Sequence, residues 1–181
     1  MSRIPAVKPE SLTPEQRQIY DTIASGPRGG VRGPFLALLH VPELADRIQH
    51  LGEYLRYKTS FPPQLSELAI CVTARHSDSP YEFYAHSQIA LKAGVSQAVI
   101  DAVARQQPPE FSDPDQALVY QYANEIAGTR KVSDAAYAKV LERFGTKGLV
   151  ELTALCGYYS MMAFTLNAHQ VPLPPGVKPA F

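Results

Sequence analysis

Residues 65–94, LSELAICVTARHSDSPYEFYAHSQIALKAG, read as two helices and the joint between them. On the first, Leu65, Leu68, Ala69 and Val72 recur along one side, after a start at Ser60-Phe61-Pro62-Pro63. His76-Ser77-Asp78 is a short polar connection. Ser79-Pro80-Tyr81-Glu82 opens the second helix with Pro at its first position, and Gly94 ends it. Glu82 and His86 stand at i and i+4, hence on one face, and Ser79 shares that face. Glu67 is aligned in the same way with Cys71 on the first helix. If the helices pack as an antiparallel hairpin, Glu67 approaches the Glu82/His86 pair. A carboxylate beside an imidazole raises and orients a general base that titrates near neutral pH. The competing reading is local: Ser79 to Glu82 also has the form of a capping box, in which Glu82 only satisfies a backbone N–H.

Outward from this hairpin the chain continues to read as helix. Thr13-Pro14-Glu15-Gln16 is a capping-box opening for a helix to about Ser25. A glycine-rich break from Gly26 to Gly33-Pro34 follows, and no strand precedes it, which argues against a phosphate-binding loop. From Pro42 to Lys58, Leu44, Ile48, Leu51 and Leu55 are spaced as one apolar helical face. Ser96 caps a short helix to about Arg105. Asp113-Pro114-Asp115-Gln116 opens another, followed by Gly128, and Ser133 and Thr146 cap two more. The tail, residues 171–181, holds four prolines and is expected to be extended or irregular. No period-two strand pattern or internal repeat is visible. The expectation is an all-α single-domain bundle of eight or so helices. It divides into N-terminal helices over 1–60, a core motif over 61–95, C-terminal helices over 96–170 and the tail.

Composition narrows the function classes. Seventeen Lys+Arg balance seventeen Asp+Glu, and no basic run appears, so a nucleic-acid partner is not expected. A chain of 181 residues buries roughly 70% of its unfolded surface and needs neither disulfide nor metal to fold. Its two cysteines form no C-x-x-C pair. MSRIPAVKPESL has no apolar signal core, which points to a cytoplasmic protein. Residues 149–168 are long and carry one charge, Glu151. Their Thr153, Gly157, Ser160, Thr165 and Asn167 make a poor membrane span, so a buried helix is expected instead, with a subunit interface as one place for it.

The hairpin resembles the carboxymuconolactone decarboxylase family, which includes the alkylhydroperoxidase D-like proteins. The family pattern is a Glu on one helix and C-x-x-C-x-x-x-H at the start of the next. Its positions fall on Glu67, Ser79, Glu82 and His86, with Tyr81-Glu82-Phe83-Tyr84-Ala85-His86 similar to the non-redox branch. Gly33-Pro34-Phe35, Glu67-Leu68-Ala69-Ile70, Ala93-Gly94-Val95, Gly157-Tyr158-Tyr159, Leu166-Asn167 and Val171-Pro172-Leu173-Pro174 extend the resemblance over most of the chain.

The resemblance implies a homo-oligomer, commonly a trimer or hexamer, and a cofactor-free lyase or isomerase acting on a small carboxylated lactone or related aromatic-degradation product. Carbon dioxide would leave and a double bond would shift. His86 takes the acid/base role, Glu82 sets its tautomer or shuttles the proton, and Glu67 positions or polarises the pair. Arg75 is the candidate for a substrate carboxylate, because guanidinium matches that anion bidentately. Tyr81, Tyr84, Ser79 and Cys71 are candidates to border the pocket. No cofactor and no metal are expected, although Glu82, His86, Glu67 and His76 form a weak set of potential ligands. Two other readings stand beside the lyase. A thiol peroxidase is disfavoured because Ser79 and Glu82 occupy both cysteine positions, and a serine cannot cycle through a sulfenic acid. A non-catalytic oligomer needs no reactive His86.

Overall fold

Ten consecutive residues of one helix, Leu65 to Ala74, are buried, and the rest of the molecule is arranged around them. The computed structural model describes residues 2–5 and 7–181. Its helices are α1 (Pro14–Ser25), α2 (Phe35–Leu38), α3 (Pro42–Tyr57), α4 (Pro63–His76), α5 (Pro80–Lys92), α6 (Gln97–Ala104), α7 (Pro114–Thr129) and α8 (Asp134–His169), after a 3-10 turn at Pro9–Ser11. No strand occurs among the described residues. The fold is all-α. α4 is central because α5, α7 and α8 pack around it. That surround explains why both its apolar residues and Ser66, Glu67 and Thr73 lie inside.

Local chemistry sets most of the boundaries. Thr13 Oγ1 accepts from Gln16 N–H while the Gln16 side chain accepts from Thr13 N–H, closing the expected capping box. Ser96 and Ser133 cap α6 and α8 in the ordinary way. Asp113 caps α7 through Asp115 N–H, but Gln116 is buried and does not complete a box. At the start of α5 the box does not form either: Ser79 makes no side-chain cap. This removes the reading in which Glu82 serves only its own helix end.

Several expectations are revised. α7 runs through Gly128 to Thr129 and stops at Arg130, which is left-handed (φ 67°). The two helices expected on either side of Thr146 are continuous except for a kink at Gly145, whose φ of 67° and ψ of 178° suit glycine. On α3, Ile48 and Leu55 are buried, whereas Leu44 and Leu51 are exposed. The face that meets the core is Ala45, Ile48, Gln49, Gly52 and Leu55.

The small Gly52 explains that rotation. An added Cβ there would run into Tyr158 Oη and Arg28 Nη2, so α3 can approach α8 only through a residue without a side chain. Glycine costs a helix interior roughly 0.5–1 kcal/mol relative to alanine. Gly52→Ala is nevertheless expected to destabilise the fold by about 1–3 kcal/mol through overpacking, measurable by urea denaturation.

The apolar segment of α8 is a core helix. Leu149, Leu152, Leu155, Tyr159, Met162 and Leu166 are buried, while Val150, Met161 and Phe164 stay exposed on its outer side. By length and composition alone this helix could cross a membrane. Its one charge in that stretch, Glu151, is also buried. Ser60 donates to it through N–H (2.9 Å) and Oγ (2.6 Å), and Tyr54 through Oη (2.8 Å). Those donors outweigh the burial that would raise its carboxyl, and they tie the α3–α4 joint to α8.

Candidate functional site

The antiparallel packing of α4 and α5 places Glu67 against His86 across the hairpin. His86 Nδ1 lies 2.6 Å from Glu67 Oε2 and His86 Nε2 lies 3.2 Å from Glu82 Oε1. All three side chains are buried: Glu67 is 3% exposed, Glu82 4% and His86 6%. Arg56 from α3 reaches the second oxygen of Glu67, Nε to Oε1, at 3.2 Å. Tyr159 from α8 meets the imidazole edge to face, with centroids 4.8 Å apart. Four helices therefore hold the histidine.

A neutral imidazole has one N–H and can satisfy one carboxylate, whereas an imidazolium offers an N–H to each. Burial alone would push the His86 pKa down, but Glu67 and Glu82 outweigh it and raise it to about 9. Burial likewise pushes the Glu67 carboxyl up, and His86 with Arg56 outweighs that, leaving it lowered. His86 is thus a proton store between two carboxylates at neutral pH. The carboxylates differ in access. Glu82 and His86 line a cavity of about 510 Å³, while Glu67 sits behind them outside its wall. The second Glu82 oxygen has no hydrogen-bond donor among the described residues.

Tyr81 and Tyr84 are in the cavity wall, with Tyr158 and Tyr159 from α8. Three residues named as pocket candidates are not. Arg75 donates to Ala104 O (2.8 Å), pairs with Asp78 (2.6 Å) and stacks over the Phe181 ring (4.2 Å), so its fork is already used on the far side of α4. Cys71 is fully buried in the hydrophobic core. Burial, then Glu67 and Glu82, push its thiol well up. Ser79 is fully buried and its Oγ has no partner. His76 stands apart, bonded to Asn124 (2.8 Å). No group of three His, Cys, Asp or Glu side chains among the described residues is arranged to hold a metal ion.

The cavity also contains residues that reading the hairpin alone does not single out: Arg28 and Arg32 from the glycine-rich loop and Arg56 from α3. Only long-range packing brings them here. The one local hint is the density of glycine and arginine between Gly26 and Gly33.

Comparison with known proteins gives a family match over part of the chain and a fold. Residues 42–118 match the carboxymuconolactone decarboxylase family. No curated protein matches the chain. The crystal structure of the alkylhydroperoxidase AhpD core of an uncharacterized peroxidase-related protein from Ralstonia eutropha JMP134 superposes with a TM-score of 0.79 at 18% identity, covering 96% of this chain and 93% of that one. A protein of unknown function from Agrobacterium tumefaciens superposes with a TM-score of 0.67 at 14% identity, covering 78% of this chain and 97% of its own. At these identities the likeness is one of fold. The matched segment, residues 42–118, contains Glu67, Glu82 and His86 and is similar to the carboxymuconolactone decarboxylase family.

Proposed function

We propose that the protein is a cofactor-free lyase or isomerase that moves a proton on a small carboxylated lactone or a related aromatic-degradation product. One observation carries this reading: a carboxylate in the wall of a cavity, Glu82, is backed by an imidazole that two carboxylates hold protonated. In decarboxylation of such a lactone, the bond to the carboxylate carbon breaks and carbon dioxide leaves. The electron pair passes into the conjugated ring, and one proton must then be added to carbon. The catalyst has to enter the cycle carrying that proton.

Both His86 nitrogens already face carboxylates, so the group that meets the substrate is Glu82. His86 passes its Nε2 proton to Glu82, Glu82 hands it on to the substrate carbon, solvent restores the proton to His86 after turnover, and Glu67, held by Arg56, keeps the ring in place. Glu67 is a positioning residue. The reservoir sets a pH limit: with the His86 pKa raised to about 9, turnover is expected to persist through neutral pH and to fall as pH rises through that value. Ultraviolet loss of γ-carboxymuconolactone by the purified protein tests the reading. Turnover that disappears in Glu82→Gln supports it, and no turnover moves the substrate elsewhere.

The thiol-peroxidase reading lacks a carrier. Burial pushes Cys156 up to about 11 and pushes Cys71 well up, and neither lines the cavity. A thiol reagent is expected to label neither cysteine in the folded protein and both after unfolding. Labelling of Cys71 in the native state would reopen the redox chemistry.

A further inference from the structure

Arg28 occupies the wall of the cavity without a direct ion pair; its charge acts on Glu53, but that carboxylate is already paired with Lys58 at 2.7 Å. Its Nη2 lies 3.4 Å from Tyr158 Oη, and its guanidinium stacks over the Phe35 ring at 4.8 Å. Its Nε is buried and has no hydrogen-bond partner. It makes no ion pair among the described residues. The placement is built rather than incidental. Tyr158 Oη is itself anchored on Ile48 O (3.2 Å), and the notch that admits both groups against α3 is Gly52.

The charges in the wall can be paired off one by one. Arg56 is matched by Glu67, and protonated His86 by Glu82. Arg28 and Arg32 remain, so the cavity carries a positive surplus beside its reacting pair. A partly desolvated guanidinium with a vacant N–H is unfavourable alone and favourable against a planar anion, which it meets with two parallel hydrogen bonds. Tyr81, Tyr84 and Tyr158 add flat walls nearby.

We propose that Arg28 is the specificity-determining residue of this site, binding a carboxylate of the substrate so that anionic planar molecules are selected over neutral isosteres. This takes over the role that the sequence assigns to Arg75. It rests on Glu82 and His86 being the reacting pair, but its test requires no turnover. Calorimetric titration compares benzoate with its uncharged isostere benzamide, on the unaltered protein and on Arg28→Gln, Arg28→Lys, Glu82→Gln and Arg105→Gln.

Benzoate is expected to bind the unaltered protein about tenfold or more tightly than benzamide, the factor supplied by ~1.4 kcal/mol. Arg28→Gln abolishes that preference. Arg28→Lys, which keeps the charge but not the fork, restores only part of it. Exposed Arg105, outside the cavity, leaves the preference intact when replaced. Equal binding of the two probes, saturable binding of neither, or an undiminished preference in Arg28→Gln overturns the assignment. Glu82→Gln separates the two proposals: a benzoate preference retained there, with turnover absent from every variant, would remove the reaction while leaving the anion site standing.

Discussion

Glu82→Gln is expected to lower turnover of γ-carboxymuconolactone by about 10²–10⁴-fold, the range that a positioned acid or base contributes. The substitution keeps the shape of the side chain and removes its capacity to carry a proton. Because Glu82 is one of the two carboxylates that hold His86 protonated, the same change is expected to lower the histidine pKa from about 9. A turnover deficit without that shift would make Glu82 a binding group. A shift without the deficit would mean that the proton reaches the substrate by another route. Mixing of probe binding with chemistry is avoided by measuring kcat at saturating substrate.

Glu67→Gln is expected to have the largest effect on stability, a loss of about 3–5 kcal/mol, because it strands two cations on buried or nearly buried side chains. His86 and Arg56 share the one carboxylate at 2.6 Å and 3.2 Å, and both would be left with a neutral amide. Urea denaturation at neutral pH measures the loss. The pH dependence has a definite sign on each side. Glu67 has a lowered pKa, so its contribution is present above the ordinary carboxylate range and is lost as pH falls through the lowered value. His86 has a raised pKa, so its contribution is whole below about 6.5 and is lost as pH climbs through about 9. The stability plateau is expected between those limits and is expected to narrow in Glu67→Gln.

Much of this arrangement is legible in thirty residues of sequence. The i, i+4 spacing of Glu82 and His86 and the short joint at 76–78 are local facts, and they suffice to bring Glu67 to the imidazole once the hairpin closes. The same locality explains the misreadings. Leu44 and Leu51 fit an apolar face by spacing, but which side of α3 turns inward is decided by Gly52, Tyr158 and Arg28, residues far apart in the chain. Arg75 is a reasonable anion ligand by type and proximity in sequence. The far side of α4 consumes it through Ala104, Asp78 and Phe181, and no local pattern encodes those contacts.

The division of labour between the two glutamates is a third case. Glu67 and Glu82 are chemically identical, and both meet His86, Glu67 from across the hairpin and Glu82 from one turn away on the same helix. Both are buried, and only their position relative to the cavity distinguishes the one behind the wall from the one that lines it. Sequence spacing assigns the histidine to the substrate. Both Glu82 and His86 line the cavity, and because both ring nitrogens face carboxylates, Glu82 is the group proposed to meet the substrate.

The most direct measurement of the account is the titration of His86 in the folded protein, followed by the chemical shift of its imidazole carbon-bound proton and assigned with His86→Asn. A midpoint of about 9 that moves down in Glu82→Gln is expected. A midpoint near the ordinary histidine value of about 6.5, unmoved by that substitution, would contradict it: the imidazole would then be neutral at physiological pH, and the pair could not supply the proton that the proposed reaction consumes.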